Sequence, residues 1–272
     1  VYKRQVLAYA WGWRGMLPDD LAAHLAFSSD PMVRRSAARA LGWGAAPGQV
    51  SRILPALLTD PASDVNRAAL WSQALLDPGS AAAIARTRLT SEEPDPFSAR
   101  VLGLLGSPAD LEILGDLVGI DETGLACARA MGDLGNPAAI DHLIELFGEE
   151  NEELSAAAQE AIEIILGSVP VPVEEEDGRV TEDADGVTKD ADGPSPERVK
   201  AAWSGLATGY GGSDRWLRGR PLPWQGARSE EPMEALWRTS LLAARPEAPW
   251  LRNEVPDGFF ATWPDFEAAP GE

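Results

Sequence analysis

Residues 30–42 read Asp-Pro-Met-Val-Arg-Arg-Ser-Ala-Ala-Arg-Ala-Leu-Gly, and this stretch decides the fold because its last five residues recur along the chain. Near copies of 38–42 stand at 99–103 (Ala-Arg-Val-Leu-Gly) and at 128–132 (Ala-Arg-Ala-Met-Gly). Degenerate copies fill the gaps, so that equivalent positions fall at residues 9, 39, 71, 100, 129 and 160. The steps of 30, 32, 29, 29 and 31 residues indicate an internal repeat, and a repeat of this length predicts a solenoid or array.

Each repeat is predicted to be a pair of amphipathic helices. Six dipeptides place an Asp, Asn or Ser side chain before a proline: Asp30-Pro31, Asp60-Pro61, Asp77-Pro78, Asp95-Pro96, Ser107-Pro108 and Asn136-Pro137. The side-chain oxygen can cap a helix amide, and a proline in the first helical position costs no hydrogen bond. Apolar residues then follow at helical spacing, as Ala128, Met131 and Leu134 do.

The pattern Asp30-Pro31-x-Val33-Arg34-x-x-Ala37-Ala38-x-Ala40-Leu41-Gly42 resembles the HEAT-type α-solenoid over roughly residues 1–167. The resemblance implies that neighbouring pairs stack, since one pair cannot bury its apolar face alone, and that the second helices line a concave face. The expected fold is all-α: a HEAT-like α-solenoid of about five helix pairs with a small, aromatic-rich C-terminal capping module. Val1 falls inside the second helix of an earlier repeat, so we expect a truncated N-terminus or an incomplete first pair.

The composition changes twice after the repeats. Residues 168–193 are predicted to be an extended or disordered acidic linker rich in proline and glycine, because residues 174–193 hold 9 acidic and 2 basic residues. Two Asp-x-Asp-Gly sequences at 183–186 and 190–193 resemble parts of calcium loops but lack the bidentate Glu, so calcium binding stays an open alternative. Residues 194–272 hold six of the ten tryptophans and predict a module that caps the last repeat.

The C-terminal part carries a narrower resemblance. Its matching residues are Pro196, Val199, Trp203, Trp216, Leu217, Gly219, Arg220, Pro221 and Leu222. Together with the preceding solenoid and acidic linker, they are similar to a bacterial HEAT-repeat family encoded beside type VI secretion gene clusters. The resemblance implies a secretion-associated scaffold or adaptor in the bacterial cytoplasm, and it transfers no catalytic residue.

Charge and composition exclude several functions. The chain has 43 acidic and 23 basic residues, a formal net charge of −20, and residues 46–167 alone hold 20 acidic and 6 basic residues. This balance argues against binding to DNA, RNA or an anionic membrane surface. One cysteine and two histidines leave little material for a metal site or a histidine-based catalytic network. The apolar runs fall short of a membrane span, so we expect a soluble cytoplasmic protein.

The six equivalent positions carry Tyr9, Arg39, Trp71, Arg100, Arg129 and Glu160. Stacked second helices should bring these side chains into a row, and Arg, Trp and Tyr dominate interface hot spots. Two interpretations stay open. The row forms a groove that binds a protein partner, or the arginines pair with acidic residues of the next repeat while the aromatic rings pack between helices.

A second candidate surface interleaves Arg215, Arg218 and Arg220 with Trp216 and Trp224. It could bind an acidic peptide or a phosphate, or its arginines could neutralise the acidic linker within a folded cap. The predicted protein-binding residues are Tyr9, Arg39, Trp71, Arg100, Arg129, Trp216, Arg218 and Arg220. No catalytic, cofactor or metal site is expected, and His24, His142 and Cys127 are expected to be structural.

The function favoured by the sequence is that of a non-catalytic protein-interaction scaffold or adaptor, whose groove binds a protein partner such as a type VI secretion component. Its acidic central block favours a basic partner and salt-sensitive association. Two alternatives remain: an immunity-type inhibitor that neutralises a toxin with its acidic surface, and an enzyme, since HEAT-like solenoids include bilin lyases and base-excision glycosylases.

Overall fold

The computed structural model describes residues 18–44, 47–170, 195–211, 215–217 and 219–221. These residues form α1 (Asp19–Ala26), α2 (Pro31–Gly44), α3 (Pro47–Leu58), α4 (Ser63–Leu76), α5 (Pro78–Leu89), α6 (Pro96–Leu105), α7 (Leu111–Asp116), α8 (Asp121–Leu134), α9 (Ile140–Phe147), α10 (Glu152–Leu166) and α11 (Pro196–Leu206). Three short 3-10 helices lie at Pro108–Asp110, Pro137–Ala139 and Ala207–Tyr210. The strands β1 (Trp216–Leu217) and β2 (Arg220–Pro221) pair antiparallel.

The first ten helices form the five predicted pairs, from α1 and α2 to α9 and α10, so the all-α prediction is confirmed. The chain divides within α5 into two compact units: unit 1, up to Ala81, contains α1–α4, and unit 2, from Ala82, contains α6–α11 and the strands. Within unit 1, α2 packs against α4; within unit 2, α8 packs between α6 and α10. The predicted module boundaries at residues 167 and 193 stay a prediction, because residues 171–194 lie outside the described ranges.

Side chains that precede prolines cap the helices as the sequence predicts. Asp30 Oδ1 accepts a hydrogen bond of 2.9 Å from the backbone N–H of Met32. The equivalent bond is made by Asp60, Asp77, Asp95 and Asn136. Ser107 differs, because its backbone N–H donates to the Asp110 carboxylate at 2.7 Å. These bonds satisfy amides that would otherwise lack partners at the helix starts.

The glycine of the repeated motif lies where neighbouring second helices touch. A Cβ on Gly103 in α6 would lie 2.6 Å from the carbonyl oxygen of Ala130 in α8. A Cβ on Gly132 in α8 would lie 2.7 Å from the Cα of Ala161 in α10. Both distances are shorter than ordinary van der Waals contact, so only glycine permits this helix spacing.

Unit 1 shows the same arrangement. A Cβ on Gly42 in α2 would lie 2.9 Å from the Cα of Ser72 in α4. The hydroxyl of Ser72 is buried and donates to the Ala38 carbonyl oxygen at 2.7 Å. The close contact between second helices is therefore a property of the repeat, and the recurring glycine is its sequence signature.

One bidentate ion pair ties α2 to the loop before α4. Arg34 Nε and a terminal guanidinium nitrogen donate to the two carboxylate oxygens of Asp60 at 2.6 and 2.9 Å. The pair is mostly buried, and its hydrogen bond with Arg34 lowers the pKa of Asp60. Unit 2 has a related pair, in which Arg86 of α5 donates to Asp110 at 2.5 and 2.9 Å.

Candidate protein-binding surface

Two members of the predicted row meet on the surface of unit 2. Arg129 of α8 and Glu160 of α10 are neighbours, with 3.8 Å between Arg129 Nε and a Glu160 carboxylate oxygen. Their side chains are 57% and 54% exposed. An ion pair with this exposure contributes about 1 kcal/mol or less to folding. Both charges therefore remain accessible to another molecule. We call Arg129 and Glu160 the exposed pair.

Glu160 follows Arg129 in the predicted row but is not among the predicted binding residues. The signal was present in the spacing, since residues 129 and 160 are 31 positions apart, within the range of the other steps. The contact also fits the second interpretation of the row, in which an arginine pairs with an acidic residue of the next repeat.

Arg39 of α2 and Arg100 of α6 are partly buried, and both interact with other groups of the chain. Tyr9 and Arg218 lie outside the described residues. Arg220 contributes its backbone to β2, and its side chain also lies outside what the structure describes. The structure therefore describes a surface position for only some of the predicted binding residues.

Trp71 and Trp216 require a correction, because both are buried. Trp71 of α4 is 6% exposed and Trp216 of β1 is 9% exposed. Large aromatic rings stabilise a fold most when they are removed from water, and this explains why both tryptophans are buried. Neither ring is exposed to a partner, and the burial of Trp71 fits the second interpretation of the row, in which the aromatic rings pack between helices.

Arg215 also lies inside unit 2, at 9% exposure. Its guanidinium donates to the carbonyl oxygens of Leu104 and Gly106 at 3.1 and 2.5 Å, and reaches that of Gly103 at 3.5 Å. These carbonyls end α6, which lies about a hundred residues earlier in the chain. The prediction that Arg215 binds an acidic peptide or a phosphate is therefore wrong, because its guanidinium donates to carbonyl oxygens within the molecule.

An aromatic cluster holds this part of the chain in place. The rings of Trp203 and Tyr210 are 5.4 Å apart between centroids, and those of Tyr210 and Trp216 are 4.5 Å apart. Trp203 belongs to α11, which packs against α9, while β1 packs against α10. In the described residues, the segment after residue 195 therefore covers the last helix pair, which agrees with the cap expected from the tryptophans.

Unit 2 carries many exposed acidic side chains. Between residues 130 and 170 the chain has nine acidic residues and no lysine or arginine. Exposed carboxylates on or next to α7, α9 and α10 are those of Glu112, Asp116, Asp141, Glu145, Glu149, Glu150, Glu152, Glu153, Glu160 and Glu163. The negative potential of such a surface attracts positively charged molecules and accelerates their association.

Groups that could carry chemistry are sparse in the described ranges. No cluster of three or more His, Cys, Asp or Glu side chains there is arranged to hold a metal ion. Cys127 is buried in α8, and its burial raises the pKa of the thiol to about 12. The thiol is therefore protonated at neutral pH and a poor nucleophile in the folded protein. In the same ranges, no helix combines the length and apolar character needed to cross a bilayer.

Comparison with known proteins supports the repeat. Residues 125–149, which cover most of α8 and α9, match the family described as PBS lyase HEAT-like repeat. The chain is also similar to a solved complex of CpcE and CpcF of phycocyanin lyase from Nostoc sp. PCC7120, with 22% identity, a TM-score of 0.41, and coverage of 60% of this chain and 71% of that one. No curated protein matches. The HEAT-like fold class is confirmed.

These findings correct one prediction and leave another unsupported. The prediction that the chain is not an enzyme is contradicted, because the family that matches residues 125–149 is described as PBS lyase HEAT-like repeat. Nothing in the comparisons links the chain to type VI secretion. The coarser statement holds: the chain has a HEAT-like helical-repeat fold.

Proposed function

We propose that the chain is a lyase-related helical-repeat protein that binds a protein partner through the surface around the exposed pair of unit 2. This proposal rests on the exposed pair. Arg129 and Glu160 stand side by side on adjacent second helices, more than half exposed, although the opposite sides of these helices are fully buried. A fixed arginine and glutamate at this spacing offer a partner both a donor group and an acceptor group.

The negative charge of unit 2 supports a partner with a basic surface. The exposed carboxylates of α7, α9 and α10 create a negative potential without a lysine or arginine among residues 130–170. Such complementarity raises the association rate more than the final affinity, and salt screens it. Binding should therefore slow as the ionic strength rises, while dissociation changes little.

Binding can be tested by pull-down from a bacterial lysate with mass spectrometry, using wild type, Arg129→Glu, and the double variant Arg129→Glu/Glu160→Arg. The double variant restores an ion pair in reversed order, so it separates a role in folding from a role in recognition. We expect the wild type to retain a defined partner and both variants to lose it. Arg198→Glu, an exposed change of the same charge on α11, is the matched control and should retain the partner.

Circular dichroism must show that every variant is folded. A partner retained equally by all four proteins would contradict the proposed surface. A partner lost by the folded Arg129→Glu variant but recovered by the double variant would show that the ion pair maintains the local surface and that the partner recognises neither charge directly, which would also contradict the proposal. The identity of the partner addresses the finer proposal of a type VI secretion component, which rests on the resemblance of the segment from Pro196 to Leu222.

A lyase-type activity is the second candidate, favoured by the match of residues 125–149 to the lyase-related repeat. The visible absorption spectrum of the purified protein tests it, alone and after mixing with phycocyanin, on which the similar complex is named to act. A bound chromophore, or a change in the phycocyanin spectrum that depends on the chain, would support the activity. A featureless spectrum with unchanged phycocyanin would reject it.

A further inference from the structure

The segment at residues 215–217 and 219–221, which we call the strap, runs past the C-terminal ends of three second helices of unit 2. Its Arg215 side chain bonds the end of α6, as described above. The backbone N–H of Trp216 donates to the Gly135 carbonyl oxygen at 2.6 Å, and Gly135 caps α8. The backbone N–H of Gly219 donates to the Ile165 carbonyl oxygen at 2.8 Å, in the last turn of α10.

Helix C-termini suit such a contact because their last carbonyls lack partners within the helix and carry partial negative charge. A guanidinium satisfies both needs at α6, since it supplies donors and positive charge together. Two glycines permit the close approach. A Cβ on Gly135 would lie 2.5 Å from the Trp216 carbonyl oxygen, and one on Gly219 would lie 2.8 Å from that of Leu166. Both glycines also have positive φ, of 69° and 73°.

The strap makes contacts that are unusual in a repeat protein. In a solenoid each repeat contacts only its neighbours, so unfolding can begin at an end and spread repeat by repeat. Here Arg215 and Gly106 are 109 residues apart, and the strap contacts the third, fourth and fifth helix pairs at once. Loss of the last pair alone would therefore also break contacts at α6 and α8.

We infer that the strap couples the three helix pairs of unit 2, so that they open together as one cooperative body. This inference does not depend on the proposed function. It assigns a conformational role to a segment that the sequence predicted only as a terminal cap. Arg215 is the residue on which the coupling depends most, because it bonds the second helix farthest from the end of the array.

Cys127 provides a built-in probe. It is the single cysteine of the chain and is fully buried in α8, the middle second helix of unit 2. A thiol reagent can modify it only when α8 opens. The rate of modification of the full-length chain, measured over a series of urea concentrations, reports the free energy of that opening and the surface it exposes.

For the wild type we expect the urea dependence of Cys127 modification to equal that of the unfolding of unit 2. Arg215→Met keeps the aliphatic side chain but removes the guanidinium donors. In that variant we expect modification at least ten-fold faster without urea, with a weaker urea dependence, because α8 then opens without the whole unit. Lys200→Met, which removes an exposed positive charge on α11, is the matched control and should behave like wild type.

Equal rates and equal urea dependence in Arg215→Met and wild type would overturn the inference. If Arg215→Met does not fold, Arg215→Lys replaces it. A lysine cannot bond all three carbonyls in the same geometry, so an intermediate acceleration is expected. If both variants fail to fold, the segment belongs to the folding core itself, and the inference that it couples formed repeats is wrong.

Discussion

Gly103→Ala is the sharpest test of how the helix pairs of unit 2 are assembled. The added methyl would lie 2.6 Å from the carbonyl oxygen, 2.8 Å from the Cα and 3.0 Å from the carbonyl carbon of Ala130. All three are backbone atoms, so no side-chain rotation can relieve the contact. To reach ordinary contact distances of about 3.5 Å, α6 and α8 must move apart by about 1 Å.

Overpacking a core usually costs about 1–3 kcal/mol, and a backbone obstacle places this substitution at the upper end. Alanine is the better helix former by about 1 kcal/mol, which offsets part of that cost. We therefore expect Gly103→Ala to lower the free energy of unfolding by about 2 kcal/mol. Urea denaturation followed by circular dichroism, fitted for midpoint and slope, measures this loss.

Gly205→Ala is the matched control, since Gly205 lies in α11 of the same unit and nothing comes within 4 Å of a Cβ placed there. Only the helix propensity should act at this position, so the control should be as stable as wild type or up to about 1 kcal/mol more stable. If Gly103→Ala proves as stable as Gly205→Ala, the close approach of α6 and α8 does not determine the spacing of the repeats, and our reasoning is refuted.

Three further outcomes are expected. Asp60→Asn should cost about 1–3 kcal/mol at neutral pH by breaking the buried pair with Arg34. The pKa of Asp60 is lowered in the folded state, so the stabilisation by this carboxylate is complete above the unfolded-state pKa and is lost as the pH falls through the folded-state value. The denaturation curves of Asp60→Asn and wild type should therefore converge in acid. The exposed control Asp20→Asn should change the stability little. Native Cys127 should react with a thiol reagent at least about a thousand-fold more slowly than in denaturant, and equal rates would show that α8 is open. Asn151 accepts hydrogen bonds from two amides at the start of α10, so Asn151→Ala should cost about 1 kcal/mol in thermal or urea melts while Asn151→Asp should be tolerated.

Much of the fold could be predicted from the sequence because its signals are local and repeated. The side chain of Asp30 before Pro31 caps the next helix through atoms only two residues away. The glycine at 42, 103 and 132 marked the repeat before any contact was known. Helix starts and repeat spacing therefore follow from the chain itself.

The candidate site could be predicted less well, because burial depends on residues far apart in sequence. Trp71 occupies the same repeat position as Arg129, yet one is buried and the other exposed. The position within the repeat predicts on which helix and on which face of it a residue lies. Whether that face is exposed to water depends on the neighbouring helix pair. Arg215 shows the same limit, since its three carbonyl partners lie about a hundred residues earlier and no local pattern connects them.

The strap also restricts how this protein can change in evolution. Repeat proteins commonly gain or lose whole repeats, since each inserted pair finds the same neighbours. Adjacent helices lie about 8–10 Å apart, so three helix ends span roughly 20 Å. The strap reaches these ends with two backbone N–H groups and the Arg215 side chain, and β2 then pairs back against β1. An additional helix pair between α6 and α10 would move these helix ends farther apart than the strap can span. We therefore expect the strap to fix the number of helix pairs in unit 2.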